Sequence, residues 1–492
     1  MTIRCFVQVE PRWQIHAQYA LGVLLEGAGL PVEFTTDASS ADLAYAPERI
    51  RALPAGAMWI RAEHWPDWDD PQGEIRWLGS IPYLRRASPT GANEVSPPVV
   101  PFDVVFSTYA VASGGLERAV PADVAGLAVS RRTGENPASI LELPVVSLYA
   151  NLLLEAMRKT LGPALRPVGR WPDGKLYAVV LSHDVDVPFF YRSSRYYRHA
   201  LKVNGRARAW AATIRSLGAL AGVGLMVRVG LLSRGGADPN FRFDEWLLVE
   251  ATLPGKSCFY VAVTSFQDPA ASPYDVPYSI RDARLRSAIC EAAQAGWEVG
   301  LHASINSREA PARILEEKVV LEDALGGRPV RGVRHHYLAL EPRVPERTLW
   351  AHAAAGLVYD SSIGFNDIAG YRRGLAWPFE PFDYERETCV PVLEVPLTIM
   401  DSAVIDRDTT TEEVGRRLRA HVESARSCGG AAVINWHLES LSNRCRSGRG
   451  RAILDVLGEL VQDTRAFWAT PGELADWWRV RQGRIAAARS GR

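Results

Sequence analysis

The second part of this chain is punctuated by short apolar runs, each separated from the next by a stretch with helical spacing. The runs are LYAVVLS (176–182), CFYVAV (258–263), WEVGL (297–301), VRGV (330–333), GLVYD (356–360), VLEVPLTI (392–399) and AAVINW (431–436). Runs this short and this apolar read as strands of a buried sheet. The stretches between them include RDARLRSAICEAAQAG and PARILEEKVVLEDALGG, the second closed by a Gly-Gly pair suited to a helix C-terminus. Strand and helix in alternation predict βα units on a parallel sheet. The expectation is an α/β fold: a distorted parallel (β/α) barrel over residues 169–492, preceded by a smaller α/β domain over residues 1–168.

In that first part, RCFVQV predicts a strand, ALGVLLEGAGL a helix ending at Gly27 or Gly29, and PVEFT a second strand. ADLAYA and DVVFSTYAV are further strand candidates. Pro144 is placed to open a helix with Val145, Leu148, Tyr149, Leu152 and Ala156 on one face. The proline- and glycine-containing stretch from Gly162 to Gly174 marks the domain boundary. No cofactor fingerprint is visible here, and His16 and His64 read as packing or surface histidines.

Composition narrows the function. Lys plus Arg and Asp plus Glu are both 56, so the chain lacks the basic excess of a nucleic-acid binder. The six cysteines form no C-x-x-C pair, which excludes a zinc knuckle and a dithiol redox motif. The longest apolar segment, Ser216 to Val227, is bounded by Arg215 and Arg228 and falls short of the roughly 20 residues a spanning helix needs. The N-terminal MTIRCFVQVEPRW has no apolar signal-peptide core. These features predict a cytoplasmic protein without a transmembrane segment, with peripheral membrane contact left open.

The chemistry gathers where the apolar runs end. LYAVVLS runs into His183-Asp184-Val185-Asp186, WEVGL into His302-Ala303-Ser304-Ile305-Asn306, and VRGV into Arg334-His335-His336-Tyr337. GLVY ends at Asp360 with Ser361 and Ser362 behind it, VLEVPLTIM at Asp401, and AAVINW at His437. In a parallel barrel the C-terminal strand ends share one rim, where active sites form. Asp184 and Asp186, one residue apart in a strand, face the same way. They repel each other unless a cation or a proton intervenes, and a metal held by one leaves the other free as a base. His302 offers a nitrogen ligand, and His437 a general acid near its ordinary pKa. Arg334 offers a planar fork for a carboxylate. His335 and His336 are adjacent, so on a strand only one of them faces the site. Asp401 reads as structural, and Ser361 and Ser362 have no base to activate them.

In this order along the chain the motifs resemble the polysaccharide deacetylase family, the NodB homology fold, over roughly residues 175 to 480. The resemblance implies that Asp184 is the catalytic base and Asp186 a metal ligand. It makes His302 the first histidine of the family's H-S/T-x-x-H motif, with Asn306 where the second would stand. Arg334 matches the arginine that orients the base, with His335 and His336 in place of the family's proline. Asp360 resembles the acidic residue of the fourth motif, and Asn435-Trp436-His437 the last motif, which makes His437 the acid. GLHASIN, RHHYL, YDSSIGF and EVPLTIMD look like a bacterial branch associated with surface-polysaccharide biosynthesis, which also carries an extra N-terminal domain.

The implied function is a metal-dependent carbohydrate N-deacetylase acting on an acetylated sugar or glycan precursor. The implied cofactor is a divalent metal, Zn2+, on Asp186 and His302, completed by Asn306, His335, His336 or water. The alternative is a catalytically impaired glycan-binding or scaffolding protein, motivated by Asn306. An aspartate-x-aspartate phosphatase is disfavoured because Val187-Pro188 follows Asp186 where Gly-Thr would be expected. The Arg- and Tyr-rich stretch Tyr191 to Trp210 reads as a solvated helix face or an anion-holding rim. Trp377, Trp436, Trp468, Trp477 and Trp478 are candidates for core packing or sugar stacking.

Overall fold

The computed structural model describes residues 1–63, 65, 74–85, 100–118, 140–162, 165–190, 238–269, 271–406, 408–443 and 445–490. His64, the Tyr191 to Trp210 stretch and the apolar Ser216 to Val227 segment lie outside the described residues. Among the described residues no helix is long and apolar enough to cross a membrane.

The first part builds a parallel sheet in the order β2-β1-β3-β4, from β1 (Ile3–Val7), β2 (Val32–Thr35), β3 (Leu43–Ala46) and β4 (Met58–Arg61). A hairpin of β5 (Glu74–Leu78) and β6 (Ile81–Arg85) follows. Helices Gln14–Gly27 and Val145–Leu161 form as their spacing predicts. DVVFSTYAV does not form a strand: Val104–Ala112 is a helix buried along its whole length. The Asp103 carboxylate accepts from Phe106 N–H at 2.8 Å and caps it. A run this apolar, interrupted only by Ser107 and Thr108, has no clear period by which to tell a buried helix from a buried strand, and Asp103 is the local signal for the helix.

The second sheet is parallel throughout. Its strands are β7 (Tyr177–Val185), β8 (Cys258–Val261), β9 (Glu298–Ala303), β10 (Gly332–His335), β11 (Tyr359–Asp360), β14 (Leu393–Glu394), β15 (Ile399–Met400) and β16 (Ala431–Asn435), in the order β14-β11-β10-β9-β8-β7-β16-β15. Between β11 and β14 lies a small hairpin, β12 (Phe382–Asp383) with β13 (Thr388–Cys389). A last strand, β17 (Ala466–Ala469), pairs with the first half of β7 while β8 pairs with the second half. The expected run VLEVPLTI is therefore two strands. β14 lies against β11, β15 lies against β16, and Val395 to Thr398 bridge from one edge of the sheet to the other. Pro396, which has no N–H to give a ladder, sits in the bridge. The sheet is thus curled into an open (β/α) barrel whose gap is spanned by one piece of chain.

β7 is buried on both faces. Ala178 and Val180 join a core that runs on through Trp377 and Trp478 to the N-terminal sheet. Tyr177, Val179 and Leu181 join a second core under the helices. Glycines shape the barrel interior: a Cβ at Gly300 would meet the Tyr260 ring at 2.7 Å, and one at Gly332 the Tyr359 ring at 1.9 Å. The Gly162 to Gly174 stretch carries Arg170, which donates to the carbonyls of Gly27 at 2.9 Å and Cys428 at 2.8 Å. The two sheets are thereby pinned to one side chain. Trp377, Trp436 and Trp478 are buried in the core and Trp468 and Trp477 pack against it, which excludes the first three as sugar platforms.

Candidate active site and metal centre

β7 ends by presenting Ser182 and Asp184 to the interior and His183 to the outer helices. Asp184 is buried and accepts on both oxygens: from Arg334 Nη1 at 2.9 Å on Oδ1 and from Asn435 Nδ2 at 2.8 Å on Oδ2. Its own N–H donates to Asn435 Oδ1 at 3.1 Å. Arg334 is fully buried on β10. It also donates to Ser182 Oγ at 2.9 Å, Ser361 Oγ at 2.9 Å and the Ser361 carbonyl at 3.0 Å, and stands 4.3 Å from the centre of the Tyr260 ring. Burial works against the guanidinium charge, but Asp184 more than offsets it and raises the Arg334 pKa. Ser361 thus anchors the arginine.

Asp186, one residue past the end of β7, faces three imidazoles. Oδ1 lies 3.2 Å from His302 Nε2, while Oδ2 lies 3.5 Å from His336 Nε2 and 3.4 Å from His437 Nε2. Burial opposes the charge of Asp186, but the charge of His336 and the neighbouring His302 and His437 rings hold its carboxyl well below the usual range. Burial opposes protonation of His336, and Asp186 reverses this, so that its pKa is pushed up to about 9. His302 donates from Nδ1 to the Arg334 carbonyl at 2.9 Å, which fixes the tautomer and leaves Nε2 bare toward Asp186.

Ligand atoms of Asp186, His302 and His336 all lie within 4.8 Å of one another. Asp186 Oδ1 and His302 Nε2 are buried with no hydrogen-bond partner. An orphaned carboxylate oxygen and an orphaned imidazole nitrogen, with His336 Nε2 3.5 Å from the other oxygen of Asp186, fit a divalent cation. Of the other predicted ligands, Asn306 is exposed on the 3₁₀ turn Ile305–Glu309 and does not line the cavity. His335 is turned away. It shares a hydrogen bond with His352 Nε2 at 2.8 Å, and His352 in turn lies 3.2 Å from Asp360. Neither completes the cluster; His336 does. The chain leaves β10 at His335 and enters a turn in which Tyr337 and Leu338 have φ of 57° and 54°, so strand parity alone did not decide between the two histidines. Asp360 is buried beside His352, Ser362 and Glu394, away from the cavity.

His437 stands on the other wall. Its Nδ1 donates to Asp401 Oδ1 at 2.7 Å, and Ser440 Oγ donates to the second oxygen of Asp401. Burial disfavours the charged ring, but Asp401 and Asp186 together raise the His437 pKa well above its usual value. Asp401, expected to be structural, is thus the partner that fixes this ring, carried there by β15. These groups line a cavity of about 270 Å³ that also takes in Tyr337, Asn366, Ser402 and Glu439.

No family model matches the sequence, and no curated protein matches it. The solved structures that match it include the following two. One is a Mycobacterium smegmatis protein described as a polysaccharide deacetylase, 18% identical, with a TM-score of 0.41, covering 64% of this chain and 94% of that one. The other is the Puue allantoinase, 11% identical, with a TM-score of 0.38, covering 64% of this chain and 95% of that one. At these identities no residue role passes from either structure to this chain.

Proposed function

We propose that the chain is a metal-dependent hydrolase of carbon–nitrogen amide bonds that removes an N-acetyl group from a carbohydrate or glycan precursor. One arrangement carries this reading: a carboxylate, Asp184, held by Arg334 and Asn435 beside the Asp186–His302–His336 cluster, with His437 and Asp401 opposite. Asp186, His302 and His336 would hold the cation, Zn2+ or a similar ion, which when bound polarises the amide carbonyl and acidifies a water. Asp184 takes a proton from the attacking water. Arg334 and Asn435 keep its oxygens aimed. His437 delivers a proton from Nε2 to the amide nitrogen as the C–N bond breaks, giving acetate and a free amine. The glycan-binder alternative drew on the amide at 306. With His336 at ligand distance, that observation no longer favours it.

The test is acetate release by the zinc-loaded protein from N-acetylated sugars, alongside elemental analysis. About one equivalent of bound metal and acetate matched by free amine support the reading. Absence of both across a panel of N-acetylhexosamines overturns it.

The acid role makes a prediction about pH. His437 must be protonated to act, so activity falls as pH rises through its pKa. Asp401→Asn removes the carboxylate that raises that pKa. The alkaline limb of kcat/KM is expected to move to lower pH in this variant, and an unmoved limb would remove His437 from the acid role.

A further inference from the structure

Two features of the cavity are not used by the chemistry above. The first is Glu439, two residues past His437 on the turn Leu438–Leu441. Its Oε2 is buried and has no hydrogen-bond partner. A buried acceptor left unmet is costly, and folds tend to keep one only where something else meets it. Burial raises the pKa of this carboxyl to about 7.

The second is Tyr337. It lies in the cavity wall with 37% of its surface exposed; among the described residues the other rings lining the cavity are His302, His336 and His437. It and Leu338 occupy the left-handed backbone region in succession, a conformation strained for any residue but glycine. The strained turn is tied down: Asn366 Nδ2 donates to the Tyr337 carbonyl at 2.9 Å, and Ser402 Oγ donates to the Asn366 carbonyl at 2.5 Å. Both of these residues line the same cavity. The fold therefore spends strain and two hydrogen bonds on presenting an aromatic ring there.

We propose that Tyr337 and Glu439 form the sugar subsite beside the scissile amide. The Tyr337 ring takes the apolar face of a pyranose, and the Glu439 carboxyl accepts from a ring hydroxyl near the carbon that bears the acetamido group. An aromatic face together with a carboxyl acceptor matches a ring that is apolar on its faces and rich in donors at its rim. The position of Glu439, next to the residue that protonates the amide nitrogen, places that hydroxyl close to the amide. This assignment rests on the amide-hydrolase reading and names the part of the site that selects a carbohydrate over a plain amide.

The experiment compares wild type, Glu439→Leu and Tyr337→Gly on two probes: N,N′-diacetylchitobiose and 4-nitroacetanilide, an acetylated amine without hydroxyls. Glycine at position 337 relieves the backbone strain while deleting the ring, so the variant is expected to melt no lower than wild type. Each substitution should raise KM for the disaccharide about tenfold, the scale of one lost polar or stacking contact, and leave kcat/KM for the anilide within about twofold. Equal losses on both probes, or no change on either, overturn the subsite. If wild type binds no metal and releases acetate from neither probe nor the panel of N-acetylhexosamines, the hydrolase reading fails. The subsite is then judged by calorimetric binding of the disaccharide. A Kd about tenfold weaker in both variants sustains it, while equal Kd values or no binding by wild type overturn it.

Discussion

Replacing Asp184 by Asn is expected to lower turnover by about 10²–10⁴-fold, the range a positioned general base contributes. It is also expected to loosen the fold. Both oxygens of Asp184 accept, one from Arg334 and one from Asn435. An amide offers one acceptor and one donor, so one of these contacts becomes donor against donor. Arg334, fully buried, keeps its charge and loses its counterion. Breaking a buried ion pair at one partner costs about 3–5 kcal/mol, and Asn should sit near the lower end because it retains one hydrogen bond. Urea unfolding of wild type and variant measures this cost, and acetate release measures the rate. Metal content should not change, since Asp184 is not among the three clustered ligands. Loss of metal along with activity would make Asp184 a ligand rather than the base.

His336→Ala is expected to weaken Zn2+ binding by at least ~100-fold, beyond the effect of changing a residue that merely supports a ligand. Asn306→Ala should bind as wild type does. His336 Nε2 lies 3.5 Å from Asp186, whereas Asn306 is exposed outside the cavity. Equilibrium dialysis decides between them, and the reverse pattern would return the ligand to position 306. The pH dependence adds a check. Without metal the His336 ring stays protonated up to a pKa of about 9. A ligand must give up that proton, so wild-type affinity should rise with pH through this range and binding should release protons. The rise should flatten above about 9, where the ring is already neutral.

The residues that announced themselves in the sequence are those whose role is set locally. Asp184 and Asp186 share a face because they are two apart on a strand. His302 and Arg334 close neighbouring strands and are directly opposed in register. What could not be read depends on distant partners. His336 faces the cluster because His335 is engaged by His352, 17 positions away. Asp401 reaches His437 across 36 positions, and only after VLEVPLTIM divides between two edges of the sheet. The short strand Ala466–Ala469 carried too little pattern to be seen, although it fills the edge of β7 that β8 leaves open. Glu439 looked like one more polar turn residue. Its significance lies in a missing partner, which a sequence cannot display.

The bridge from Val395 to Thr398 divides the site between two separate stretches of sheet. Asp186, His302 and His336 hang from β7, β9 and the end of β10, on one continuous stretch of sheet. His437 and Asp401 hang from β16 and β15, and β15 takes its place where the bridge has crossed the opening of the barrel. A change in the bridge that displaced β15 would therefore part Asp401 from His437 while leaving Asp186, His302 and His336 together, so the two halves of the cavity wall can be perturbed one at a time.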